Sequence, residues 1–101
     1  MSAAASLYTD VMQEIEAYIW GRVQMVMFRD HVQRKAKKMQ IVGYVKNRPD
    51  GSVEVRAQGE REMLERLVAE LHTGSLLSRV DLVEVHWREP NLLYQSFDIQ
   101  Y

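Results

Sequence analysis

The stretch Gly21-Arg22-Val23-Gln24-Met25-Val26-Met27-Phe28-Arg29 lies between a strand pattern and a helix pattern, where a loop can gather backbone N–H groups around an anion. Arg29 closes it with a planar fork of donors whose charge persists at any working pH, which suits the oxygens of a phosphoryl group better than a lysine would. Asn47 lies downstream at the end of a second strand pattern. A neutral amide there can accept from a water while donating to phosphate. The loop departs from expectation at its centre. A phosphate-cradling loop usually turns through a glycine with positive φ, whereas this one reads Met25-Val26-Met27.

The elements that position these residues follow from periodicity. Ile15, Ala17 and Ile19 alternate with Glu14, Glu16, Tyr18 and Trp20, which predicts a half-buried first strand leading straight into the loop. Beyond it, Phe28, Val32, Ala36 and Met39 share one helical face. The basic cluster Arg34, Lys35, Lys37 and Lys38 reads as a solvated face near that helix's C-terminus, where cations complement the macrodipole. Asp30 suits the helix's first turn, pointing to solvent, and His31 reads as a surface helix position. Ile41 to Asn47 and Ser52 to Ala57 flank the turn Arg48-Pro49-Asp50-Gly51 and predict an antiparallel hairpin. Met63, Leu64, Leu67, Val68 and Leu71 predict a second helix ending near Gly74. Val80 to Trp87 forms another strand, with a phase shift at Leu82-Val83 that fits a bulge. Phe97, Ile99 and Tyr101 form a short terminal one. The order predicts an α+β domain: a ferredoxin-like split βαβ sandwich (βαββαβ), with an antiparallel sheet and two helices on one face.

Composition narrows the function classes. Of 101 residues, 47% are hydrophobic and 27% charged, which fits one soluble globular domain over 14–101, with 1–13 as an N-terminal extension. Thirteen basic and fourteen acidic residues leave a net charge of -1, so no global field favours nucleic acid or anionic lipid. The absence of cysteine removes thiolate metal sites, disulfides and a cysteine nucleophile. His31, His72 and His86 show no paired ligand spacing, so no metal site is expected. No apolar run spans a membrane, and Met1-Ser2-Ala3-Ala4-Ala5-Ser6 lacks the features of a signal peptide. The default expectations are a cytoplasmic location and a monomer. Tyr18, Trp20 and Tyr44 could share the sheet face away from the helices, as in single-stranded RNA readers, but Ser52 to Ala57 holds none of the aromatics such a reader needs.

Gly21-Arg22-Val23-Gln24, Val26 and Phe28-Arg29, followed by Gly43-Tyr44-Val45-Lys46-Asn47, Asp50-Gly51-Ser52-Val53-Glu54-Val55 and Gln58-Gly59, resemble the acylphosphatase family over roughly residues 14 to 101. The resemblance implies hydrolysis of the carboxyl–phosphate bond of small acyl phosphates, without a metal, a cofactor or a covalent intermediate. It implies that Arg29 and the amides of Val23, Gln24, Met25, Val26, Met27 and Phe28 bind phosphate, and that Asn47 orients the attacking water. At Met25 the family pattern has glycine. Two outcomes are therefore open: a working acylphosphatase, or a catalytically impaired acylphosphatase-like binding module whose methionine loop presents apolar surface to a partner.

Overall fold

The computed structural model describes residues 12–101, and most of the extension expected over 1–13 lies outside them. In β1 (Gln13–Arg22), Ile15, Ala17 and Ile19 are fully buried on one face. The chain continues through α1 (Phe28–Lys38), β2 (Val42–Asn47), β3 (Val53–Gly59), α2 (Arg61–Thr73), β4 (Arg79–Arg88) and β5 (Phe97–Gln100). This is the expected order of elements. The register pairs Ile15 with Ala57, Ala17 with Val55 and Ile19 with Val53, so the apolar residues of neighbouring strands share one face. Phe28, Val32 and Ala36 of α1 and Leu64, Leu67 and Leu71 of α2 complete the core on that face. Burying each such leucine is worth about 1.5–3 kcal/mol relative to leaving it in water.

The strand order is β4-β1-β3-β2-β5. The expectation of an antiparallel sheet holds for the first four strands and fails at the last, because β5 pairs parallel to β2. Chain direction forces this. β4 runs antiparallel to β1 and therefore to β2, so it ends where β2 begins. Residues 89–96 carry the chain across that end of the sheet, and β5 can leave only in the direction of β2.

The bulge expected at Leu82-Val83 lies one residue earlier. Trp20 faces Leu82 while Gly21 faces Val80, which leaves Asp81 as the extra residue on β4. Gly21 has φ 135°, and a Cβ there would stand 2.1 Å from the Arg79 carbonyl oxygen. Only glycine fits this close approach. The kink it permits turns β1 into the loop.

Two residues placed on polar surfaces by the sequence are instead enclosed. Glu14 is 2% exposed. Its carboxylate accepts from Gln58 Nε2 at 2.8 Å and pairs with Arg88 Nε at 3.1 Å. Gln58 also donates to the Leu92 carbonyl and accepts from the Tyr94 amide at 3.0 Å. The crossing segment thus covers this end of the outer face, and Gln58, quoted in the family resemblance, clasps that segment far along the strand from Asn47. Alternation cannot reveal such a cover, since it depends on where a loop returns. On the remaining outer face, Tyr44 donates to Glu54, and the Arg48 guanidinium lies 4.6 Å over the Tyr18 ring.

His31 is the second correction. Its side chain is 14% exposed, with Nε2 3.6 Å from Glu70 Oε1 of α2, because its position on α1 faces the neighbouring helix. Burial depresses its pKa below the ordinary 6.5; Lys35 and Arg34 act in the same sense, against Glu70 and Asp30. The folded protein therefore resists a proton that the unfolded chain accepts. Stability is fully present above pH 6.5 and declines as pH falls through that value toward the lower folded pKa. Urea midpoints measured from pH 8 to pH 5 should fall less steeply for His31→Gln than for the wild type.

Candidate active site

The loop between β1 and α1 is held from both sides. Val23 is buried and Val26 packs against the core. Gln24 Nε2 donates to the carbonyls of Arg48 and Ser52, both at 2.8 Å, and so ties the loop to the hairpin turn that follows Asn47. Ser75 Oγ donates to the Val26 carbonyl at 3.1 Å from the turn after α2. These anchors hold the backbone through a side chain and a carbonyl, without using its amides. Met27, the N-cap of α1, offers no side-chain acceptor. Among the described residues, the amides from Gln24 to Asp30 make no hydrogen bond to the protein. Orphan donors at a helix start, with the positive end of its dipole, form an anion-binding arrangement.

Met25 takes the conformation a glycine would take there. Its φ is 61°, as is that of Met27. Their side chains are 99% and 73% exposed respectively, so the methionines stand away from the backbone instead of folding across it. A left-handed residue with a Cβ costs roughly 1–2 kcal/mol, which the anchors on Gln24 and Val26 must offset. Met25→Gly removes that cost at a site where the side chain makes no buried contact. It should raise stability by about 1 kcal/mol, or roughly 4–8 °C in Tm, measured by thermal melting.

Arg29 and Asn47 face a common open cavity of about 470 Å³ at the end of the sheet where the loop lies. Arg29 Nη1 donates to the Gln100 carbonyl at 3.2 Å, and its guanidinium rests 4.7 Å from the Tyr101 ring. Among the described residues it pairs with no carboxylate. Asp30, the nearest candidate, bonds Arg34 Nε at 3.0 Å, as expected of a first-turn residue directed to solvent. Asn47 is the last residue of β2 and faces Val53, which also faces Ile19. The side chain therefore points to the helix-covered face, just beyond the core. Its Oδ1 is buried and has no hydrogen-bond partner among the described residues. A buried amide oxygen without a partner is uncommon, and here it leaves an acceptor able to take a hydrogen bond from a bound donor.

Val23, Met25, Met27 and Phe28 line the same cavity, while Gln24 and Val26 do not. Those two support the loop through their side chains, and any part they take in anion binding is through their amides. Sequence reasoning overlooked Ile99 and Tyr101, which complete the wall. The signal was available, since both alternate with core-facing Phe97. His31, His72 and His86 stand on α1, α2 and β4 and do not converge.

A model of the acylphosphatase family matches residues 15–99. The chain belongs to the acylphosphatase family. It is 44% identical over 92 residues to an acylphosphatase of Methanococcoides burtonii, covering 91% of this chain and 96% of that one. It is 35% identical to the acylphosphatase of Salinibacter ruber, with 91% and 97% covered. The crystal structure of the acylphosphatase from Bacillus subtilis superposes with a TM-score of 0.86 at 36% identity, covering 88% of this chain and 99% of that one. Acylphosphatases thus share both the fold of this chain and the frame that carries its loop.

Proposed function

We propose that the chain is an acylphosphatase, a hydrolase acting on the acid anhydride of small acyl phosphates. Arg29 and the amides of the Val23 to Phe28 loop hold the phosphoryl oxygens, and Asn47 orients the water. The anhydride already contains a good leaving group, so little is required beyond positioning and charge stabilisation. Water held by Asn47 Oδ1 attacks phosphorus, the bond from phosphorus to the acyl oxygen breaks, and its electron pair leaves with the carboxylate. The proton lost by the water passes to solvent or to the phosphate product. Arg29 and the loop amides stabilise charge on the equatorial oxygens. Asn47 needs no basicity, because the carboxylate departs readily.

The observation that carries this reading is the unpaired Asn47 Oδ1 on the same cavity as Arg29 and the loop with free amides. Domain limits of 14–101, a cytoplasmic monomer and the absence of a nucleic-acid partner belong to the same proposal. No helix among the described residues is long and apolar enough to cross a membrane.

The test is release of inorganic phosphate from benzoyl phosphate by the purified protein. Turnover well above spontaneous hydrolysis supports the hydrolase. An inactive wild type rescued by Met25→Gly would favour a loop impaired by its methionine.

A further inference from the structure

We propose that Met25 and Met27 form a rim that receives the acyl group and makes this site selective for acyl phosphates with apolar acyl groups. The inference rests on the hydrolase reading and names the substrate class of that site. Once the phosphoryl group engages Arg29, the loop amides and Asn47, the acyl group is fixed by one bridging oxygen and must leave through the cavity mouth. Met25, Met27, Ile99 and Tyr101 are among the residues that line this cavity.

Charge points the same way. Among the described residues Arg29 is the only cation lining the cavity, and the phosphoryl group engages it. The other charged residue there is Asp30, whose carboxylate is held by Arg34. A second anionic group on the acyl chain would find no partner, and a small acyl group would leave the methionines in water. Met25 and Met27 are 99% and 73% exposed, so an acyl group seated against them would cover apolar surface that is otherwise in water. Unbranched thioether chains adapt to aromatic or aliphatic shapes, which suits a rim that recognises apolarity more than outline. An aromatic ring covering both should tighten binding by about tenfold over a methyl group.

The experiment measures binding of benzylphosphonate and methylphosphonate, neither of which carries a hydrolysable anhydride, by calorimetry. It is paired with kcat/KM on benzoyl and acetyl phosphate. The wild type is compared with the double variant Met25→Gln, Met27→Gln, which keeps side-chain length and a Cβ at both positions. The wild type should prefer benzylphosphonate by about tenfold and the variant by about twofold, with the kinetic change falling on KM. Equal binding of the two phosphonates by the wild type, or a preference that survives the double substitution, overturns the rim. A wild type that turns over neither substrate yet shows a binding preference that the double substitution abolishes would sink the hydrolase reading and leave the apolar rim standing. Turnover without preference would do the reverse.

Discussion

Replacing Arg29 by alanine should lower kcat/KM on an aromatic acyl phosphate by about a thousandfold, the scale seen when a guanidinium that stabilises a transferring phosphoryl group is removed. The fold should be nearly untouched. Arg29 makes one exposed hydrogen bond, to Gln100, and rests over a fully exposed tyrosine. Such contacts contribute about 0.5–1 kcal/mol, so the thermal midpoint should move by no more than a few degrees. Arg29→Lys provides the sharper comparison. It keeps the charge and loses the planar fork, so it should recover only part of the activity. A surface arginine without a catalytic role would leave kinetics unchanged in both variants.

Asn47→Ala should reduce kcat by about a hundredfold to a thousandfold while KM changes little, because the amide's contribution arises as water attacks. Its effect on stability separates it from an ordinary strand residue. Among the described residues the buried Oδ1 has no partner to lose, and leaving such a group unsatisfied costs about 1–3 kcal/mol. The melting temperature should therefore hold steady or rise slightly as activity falls. A substantial loss of stability with kcat intact would assign Asn47 to the hairpin instead. Asn47→Asp adds a negative charge facing the phosphoryl group, so it should raise KM as well as lower kcat.

Local pattern revealed most of the fold. The alternation of Ile15, Ala17 and Ile19 and the stripes Phe28-Val32-Ala36 and Leu64-Leu67-Leu71 each describe one buried face, and each is buried as expected. What local pattern could not reveal depends on contacts between distant segments. The parallel pairing of β5 depends on the path of residues 89–96, the enclosure of Glu14 on the same segment, and the partial burial of His31 on α2.

The site divides in the same manner. Arg29 and Asn47 were recognisable from residue type, position and family resemblance, and the fold brings them to one cavity. The anchoring of Gln24 on the Arg48 and Ser52 carbonyls was hidden, because a glutamine in a loop has no periodic signature. Met25 shows the limit most clearly. Its side chain argues against positive φ by local preference, yet supports on both sides of the residue hold it at 61°. Tertiary anchoring outweighs a local cost of roughly 1–2 kcal/mol.

A working phosphate cradle in this methionine-bearing loop must bind inorganic phosphate through its amides. Titration of the ¹⁵N-labelled protein with inorganic phosphate tests it most directly, followed through the backbone amide resonances. Saturable shifts should concentrate on the amides from Gln24 to Arg29 and disappear in Arg29→Ala. Shifts that never saturate, or that centre away from this loop, would contradict it.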